Sequence, residues 1–191
     1  LQAGSGDVTI SGALGSAVAV SSLDLDGANI TLNDIGDADT VGVSGSSDVN
    51  AVTDITLTGT TYKTNALTLT AGTDFNVNGG AATSFTTTDD AVSFNTGVVK
   101  LSDGSDFTIN SAGGAITVGT IDGTSSEDVT LSSTGGTTNT VSVSAIRSNV
   151  DNGINTVAIT GSSGITLNGD ISTSDAAGNN ITLTGPVTLA G

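Results

Sequence analysis

The chain contains no cysteine, no histidine, no methionine and no tryptophan. Without cysteine it can have neither disulfides nor thiolate metal sites. Without cysteine and histidine, the usual triads of nucleophile and base cannot be built. Carboxylate pairs remain at Asp89-Asp90 and Glu127-Asp128, but adjacent residues of a strand point to opposite faces. We therefore expect a protein that is not an enzyme.

Basic residues are also few. Lys63, Lys100 and Arg147 accompany 19 acidic residues, and the formal net charge is −16. Three scattered cations cannot form the basic patch that phosphate recognition needs, which excludes nucleic acid as a partner. An anionic membrane surface repels such a chain, and the run of about 18 apolar residues that membrane insertion requires is missing. The acidity suits a long extracellular protein that must stay soluble.

Aromatic residues make up 3% of the chain and proline occurs once, whereas glycine occurs 27 times. Hydrophobic residues reach 36% and the mean hydropathy is +0.20, so the core must consist mainly of Val, Ile, Leu and Ala. Few aromatics can indicate disorder. Here, however, the apolar residues alternate with polar ones along the whole chain, and no apolar pattern keeps a helical period. This pattern predicts short, ordered β-strands and no helices.

One phrase of four residues recurs along the chain: Asp or Asn, an apolar residue, usually Thr, and a second apolar residue. Its eight copies are Asp7–Ile10, Asn29–Leu32, Asp54–Leu57, Asp74–Val77, Asp106–Ile109, Asp128–Leu131, Thr156–Ile159 (preceded by Asn155) and Asn180–Leu183. The steps between the first apolar residues are 22, 25, 20, 32, 22, 28 and 24. Asp and Asn suit turns because their side chains bond nearby backbone. A repeat of this length with alternating apolar positions is typical of a solenoid.

The repeat therefore predicts an all-β fold: a parallel β-helix, or β-solenoid, of the larger right-handed type, with about 8 rungs of roughly 20–30 residues. Companion segments such as Leu67-Thr68-Leu69 and Ile116-Thr117-Val118 supply two or three strands per repeat. Residues 1–191 form a single β-solenoid domain, which we expect to be a segment or repeat unit of a longer chain or filament. The alternative is an antiparallel sandwich, but its strands would not share a common phrase.

Within this fold the two apolar residues of every phrase should point inward and stack along one sheet. These residues are 8, 10, 30, 32, 55, 57, 75, 77, 107, 109, 129, 131, 157, 159, 181 and 183. The long step from Phe75 to Phe107 contains further apolar pairs, Val92 with Phe94 and Val99 with Leu101. We expect it to hold either an outward loop or a hidden ninth rung.

Two copies of the phrase extend into longer runs, Asp54-Ile55-Thr56-Leu57-Thr58-Gly59 and Asn180-Ile181-Thr182-Leu183-Thr184-Gly185. These runs resemble the repeats of large bacterial exoproteins, the filamentous-haemagglutinin-like adhesins and related giant surface proteins. The resemblance extends over the whole chain. It implies a right-handed parallel β-helix, secretion to the bacterial cell surface or the extracellular space, and a role in adhesion or extracellular fibres. It implies no catalytic residues.

The two ends of the chain predict self-assembly. No capping helix precedes the first phrase, and strand-like sequence continues almost to Gly191. An open β-helix end leaves backbone groups unpaired. We therefore expect copies to stack head to tail into a filament, through a covalent tandem repeat or between separate subunits. Host or cell-surface ligands are further partners that a fibre-forming subunit or adhesin stalk would have.

Calcium is the one ion that the sequence suggests. Asp34, Asp37 and Asp39 lie close together in one predicted loop, and Asp24-Leu25-Asp26-Gly27 resembles the start of a calcium loop. Ca²⁺ binds several carboxylate and carbonyl oxygens. Neither run completes an EF-hand, and the alternative is that these are solvated aspartates of turns. We expect no other cofactor.

The outward positions of the phrase suggest rival binding functions. Its third and fifth positions are mostly Thr, Asn and Ser, such as Thr31, Asn33, Thr56 and Thr58. A regular threonine array could bind ice, but exposed strand positions favour Thr in any case, and Asn76 and Ala158 interrupt this one. Glycan binding usually uses exposed aromatic residues, which are scarce here. A calcium-stiffened adhesin, an ice-binding module and a glycan-binding module remain the alternatives to a structural protein.

Overall fold

The structure is a computed structural model that describes residues 1–80, 82–102, 104–150 and 153–190. The described residues form strands and turns and no helix. The strands are β1 Val8–Ile10, β2 Leu23–Gly27, β3 Ile30–Leu32, β4 Val43–Ala51, β5 Asp54–Leu57, β6 Thr61–Val77, β7 Thr83–Thr87, β8 Val92–Leu101, β9 Phe107–Asn110, β10 Ile116–Gly123, β11 Asp128–Ser133, β12 Thr140–Ser148, β13 Thr156–Gly161, β14 Gly164–Leu167, β15 Asn180–Thr184 and β16 Val187–Leu189.

The strands wind into a parallel β-solenoid of about seven turns, which confirms the predicted fold class. All the strand pairs are parallel, and each joins segments about one turn apart in sequence. The alternative of an antiparallel sandwich is therefore wrong. The right-handed sense of the winding stays a prediction from the sequence.

Each turn, called a coil below, contributes to three faces. Face 1 consists of β1, β3, β5 and residues 74–77, 98–101, 121–123 and 146–148. Face 2 consists of residues 61–64 with β7, β9, β11, β13 and β15. Face 3 consists of β2, residues 46–51, 66–71, 92–96, 116–118 and 141–143, and then β14 and β16.

The eight phrases do not line one face, and this part of the prediction is wrong. The first four stack on face 1, with Val8 beside Ile30, Ile30 beside Ile55 and Ile55 beside Phe75. The last four stack on face 2, where β9, β11, β13 and β15 pair in turn. Face 1 continues instead through a column of residues without the phrase: Val99, Ile121, Ile146 and Ile171. The long step from Phe75 to Phe107 is explained by this change of face and not by a ninth rung, because Val99 lies one coil after Phe75 on face 1 and Phe107 follows it on face 2.

Apolar side chains from the three faces meet in one continuous core. The phrase residues point inward as predicted, and Ile181, which no further coil covers, is in register with the buried Val157 although it is 45% exposed. The chain's four phenylalanines and its one tyrosine meet in the middle coils. The Phe85 ring stacks on Tyr62 with ring centroids 4.7 Å apart and contacts Phe94 and Phe107 at 5.1 Å and 5.3 Å. The few aromatics of the chain therefore form one buried cluster, which holds neighbouring coils together.

The Asp of the phrase has a specific task at the corners. The Oδ1 atom of Asp7 accepts a hydrogen bond from the backbone N–H of Asn29, the same phrase position one coil later. The other bonds of this kind run from Asp74 N to Asp54, from Asp128 N to Asp106 and from Thr156 N to Asp128. Each carboxylate thus satisfies a backbone donor at a corner of the next coil. We call this set of bonds the aspartate ladder.

Buried polar groups complete the corners. Thr64, Thr87, Ser111 and Ser133 are buried, and their hydroxyls donate to nearby carbonyls of the corner. Glu127, the only glutamate, is fully buried. Its Oε2 atom accepts from the backbone N–H groups of Thr124 and Ser125 at 2.9 Å and 2.8 Å. At the corners, these side chains thus form hydrogen bonds with backbone groups that paired strands would satisfy elsewhere.

Two loops interrupt face 2 in the first two coils. In the third coil, residues 62 and 64 belong to one strand and only one residue separates them. In each of the two earlier coils, a longer segment separates the two residues that pair with these positions. Residues 36–42 separate Ile35 from Val43, and residues 15–19 separate Leu14 from Val20. The acidic segment of the sequence therefore lies in an outward loop, called the acidic loop below (residues 34–40). The described residues include no helix that is long and apolar enough to cross a membrane.

Candidate functional site

The acidic loop holds the three aspartates that were predicted to bind calcium. The Asp34 Oδ1 atom accepts from the backbone N–H groups of Thr60 and Thr61, at 2.7 Å and 2.8 Å, and so joins two coils. The Asp37 Oδ1 atom accepts from Thr40 N at 2.6 Å and Asp39 N at 2.9 Å, closing the loop on itself. The bonds from Thr40 and then Asp39 hold the pKa of Asp37 below its usual value. The two aspartates therefore have structural tasks of their own.

The described residues contain no group of three or more acidic side chains arranged to hold a metal ion. The Lys63 ammonium, the nearest cation to the loop, donates to the Ala38 carbonyl at 2.8 Å. Calcium would have to use the second oxygens of Asp34 and Asp37 together with Asp39. Calcium binding at these residues stays a prediction.

The calcium prediction is tested by the melting temperature in calcium and in EDTA. An ion that binds the folded chain and not the unfolded one stabilises the folded state. Calcium should therefore raise the melting temperature. The variant Asp39→Ala, whose side chain accepts no hydrogen bond in the structure, should lose the increase without losing the fold. A melting temperature that calcium leaves unchanged contradicts the prediction.

The outward positions of the phrase do not form one array, because the phrase changes face. Thr9, Thr31, Thr56 and Asn76 make a column on face 1. The column on face 2 consists of Thr61, Ser84, Thr108, Thr130, Ala158 and Thr182. Neither column is uninterrupted threonine. The aromatic residues that glycan binding often uses are buried, because Tyr62, Phe85 and Phe94 are each at most 1% exposed.

The two end coils leave their outer edges unpaired among the described residues. At the C-terminal end, β15 pairs only with β13 and β16 only with β14. Their apolar side chains are exposed, with Val187 at 44% and Leu189 at 77%. A cavity of about 200 Å³ opens between Leu167 and Leu189. The last coil therefore presents an apolar surface beside free backbone donors and acceptors.

The first coil has the complementary arrangement. Strand β1 pairs only with β3, and the segment before it follows the edge of β2. Ala3 N donates to the Asp26 carbonyl at 2.8 Å, and Asp26 N donates to the Leu1 carbonyl at 2.9 Å. Residues 1–3 lie on face 3, as β16 does at the other end of the chain. Strand β1 lies on face 1, as Ile171 does at the other end. Since the whole chain winds in one direction, both ends offer strands of the same polarity on the same faces.

Comparison of the chain with protein-family models, with curated proteins and with solved structures found no match. The chain has the architecture of the β-helix repeat proteins, a class defined by fold. Function must therefore be argued from the surfaces of the chain itself.

Proposed function

We propose that this protein is a non-enzymatic structural protein of the bacterial cell surface or the extracellular space, acting as a fibre-forming subunit or adhesin stalk. Copies stack head to tail, with the last coil of one copy against the first coil of the next. A likeness to filamentous-haemagglutinin-like adhesins, suggested by the repeated phrase, is part of this proposal. The observation that carries it is the pair of unpaired strand edges on matching faces of the two end coils.

Burial of the exposed apolar residues would drive the contact. Val187 and Leu189 lie in the last strand of the last coil, and Leu189 is 77% exposed. Covering such side chains contributes about 25 cal/mol per Å² of apolar surface. The free edges of β15 and β16 would pair with residues 14 and 1–3 of the next copy, so the parallel ladder continues across the junction. A contact of this kind does not close on itself and extends into a fibre.

Charge opposes the contact and gives it a recognisable dependence on salt. Each copy has a net charge of −16. Asp170 lines the cavity of the last coil, and Asp24 and Asp26 lie in the first strand of face 3. Salt shortens the range of this repulsion to about 10 Å at 0.1 M and about 3 Å at 1 M. Assembly should therefore strengthen as the salt concentration rises.

The test is electron microscopy and sedimentation of the purified chain at increasing salt. We expect filaments whose axial repeat is about 40 Å per copy, given strands spaced about 4.8 Å apart. The variant Leu189→Asp should remain monomeric, because it places a charge on the buried part of the junction. Val52→Asp is the matched control: Val52 is 75% exposed but lies on the side of the rod, so this variant should assemble normally.

Two results would contradict the proposal. One is a wild-type chain that stays monomeric at high protein and salt concentrations. The other is assembly of Leu189→Asp to the same extent as Val52→Asp, which would locate the contact elsewhere on the surface.

A further inference from the structure

A polar groove follows the corner between faces 1 and 2. It consists of two adjacent cavities that share Asn149, of about 290 Å³ and about 190 Å³. Their linings come from five consecutive coils, at residues 76–78, 100–102, 122–124, 148–150 and 173–175. At about 4.8 Å per coil, the groove runs roughly 19 Å along the solenoid axis. We call it the corner groove.

Register brings uncharged polar side chains into a row along this groove. Asn76 pairs with Lys100 and Lys100 with Asp122 on face 1. Two residues after each of these, at the corner, come Asn78, Ser102 and Thr124. Asn149 continues the row two residues after Arg147, the partner of Asp122. The wall of the groove thus repeats a small amide or hydroxyl group once per coil.

Several of these groups have unused bonding capacity. The side-chain amides of Asn76 and Asn149 make no hydrogen bond to another described residue. The Asn78 Oδ1 atom accepts from the Ser102 hydroxyl at 3.1 Å, which leaves its Nδ2 group without a partner among the described residues. An amide offers both donors and an acceptor. The groove therefore presents side-chain amides that can still donate or accept hydrogen bonds, whereas the Ser102 and Thr124 hydroxyls already donate within the protein. Such amides match a ligand rich in hydroxyl groups.

The charges beside the groove are already paired. The Lys100 ammonium lies 2.6 Å from Asp74 Oδ2. Arg147 donates two bonds to Asp122, from Nε to Oδ1 at 2.7 Å and from its terminal NH₂ group to Oδ2 at 2.8 Å. The hydrogen bonds to Asp74 and Asp122 raise the pKa of Lys100 and of Arg147. Within each pair, the positive and the negative charge neutralise each other. Because both of these cations are paired and the chain has a net charge of −16, the groove would repel phosphate, sulfate or carboxylate polymers.

We infer that the corner groove binds an uncharged, unbranched polysaccharide chain lying parallel to the solenoid axis. The lining offers hydrogen bonds along an extended path. The backbone at this corner is already paired between coils, so an extended peptide would find no free strand edge here. Without aromatic stacking, affinity should be weak, with a Kd of about millimolar for a short oligosaccharide. This inference is independent of end-to-end stacking.

The experiment uses the ¹⁵N-labelled full chain in low salt and follows amide signals by NMR. The probes are hexasaccharides of glucose joined by β1,4 bonds, of glucose joined by α1,4 bonds, and of N-acetylglucosamine, with hexagalacturonate as the charged comparison. We expect at least one uncharged probe to shift the side-chain amides of Asn76, Asn78 and Asn149, and hexagalacturonate to shift none of them.

Variants then locate the site. Asn76→Ala and Asn149→Ala should each weaken binding about five- to tenfold, as expected for one or two lost hydrogen bonds. Asn95→Ala is the matched control for Asn76→Ala, since Asn95 is half-buried like Asn76, lies on face 3 and makes no side-chain hydrogen bond to a described residue. No shift with any uncharged probe at 20 times the expected Kd (about 20 mM), equal binding of hexagalacturonate, or an equal effect of Asn95→Ala overturns the inference.

Discussion

Replacing Phe85 with alanine is expected to lower the free energy of unfolding by about 3–5 kcal/mol. Phe85 is fully buried and its ring contacts those of Tyr62, Phe94 and Phe107, with centroids 4.7–5.3 Å apart. Removing it leaves a cavity between coils and separates the rings that stack across them. Because each coil of a solenoid contacts only its neighbours, weakening the middle coils should also separate the unfolding of the two halves.

Urea unfolding followed by circular dichroism measures this effect. Ile181→Ala is the control, because Ile181 belongs to the last coil and is 45% exposed. That variant should cost about 1 kcal/mol or less, since much of its apolar surface already meets water. If the two substitutions cost the same, the aromatic cluster does not concentrate stability in the middle of the rod.

Replacing Gly42 with alanine is expected to cost about 1–3 kcal/mol and to disorder the acidic loop. A Cβ atom at this position would overlap the backbone nitrogen of Gly36 and lie 2.7 Å from the Leu14 carbonyl oxygen. Both neighbours are backbone atoms held in hydrogen bonds, since Gly36 N donates to Leu14 O and Gly42 N donates to Lys63 O. Neither neighbour can move away without breaking a bond between coils.

The matched control is Gly164→Ala. Gly164 is the first residue of β14, and nothing lies within 4 Å of a Cβ atom added there. Its replacement should leave stability within about 0.5 kcal/mol or raise it by up to about 1 kcal/mol, through loss of freedom in the unfolded chain. Melting temperatures of the two variants measure the contrast. A Gly42→Ala variant as stable as Gly164→Ala would mean that the two loops on face 2 are not packed as described.

The fold was predictable because the period-two pattern and the repeated phrase are both local signals. The register was not, and particular residues show why. On face 1 the column continues through Val99, Ile121 and Ile146, which follow Val98, Thr120 and Ala145 instead of an Asp or Asn. The phrase is a device for a corner, and the solenoid has more than one corner. The phrase occurs at one corner in the first four copies and at another corner in the last four. Aligning the copies by the phrase therefore places residues of two different faces in one column.

The two candidate sites also differ in how far the sequence could predict them. The acidic loop was predictable from the sequence because its aspartates are neighbours in the chain, but the bonds that Asp34 accepts from backbone N–H groups depend on the next coil. The corner groove left no sequence signal, because Asn78, Ser102, Thr124 and Asn149 lie more than 20 residues apart. Only the register of face 1 brings them into one row. The full burial of Glu127 was likewise hidden, because the hydrogen bonds that its carboxylate accepts from Thr124 and Ser125 depend on the local fold of the corner.

The aspartate ladder gives the rod a direction of growth. In every bond of the ladder the carboxylate belongs to the earlier coil and the N–H group to the later one. In a chain that folds from its N-terminus, each carboxylate is therefore in place before the backbone N–H group that donates to it. Each finished coil acts as a template that positions the start of the following one. A chain added in the opposite order would have to hold these corner N–H groups unbonded until the preceding coil had formed.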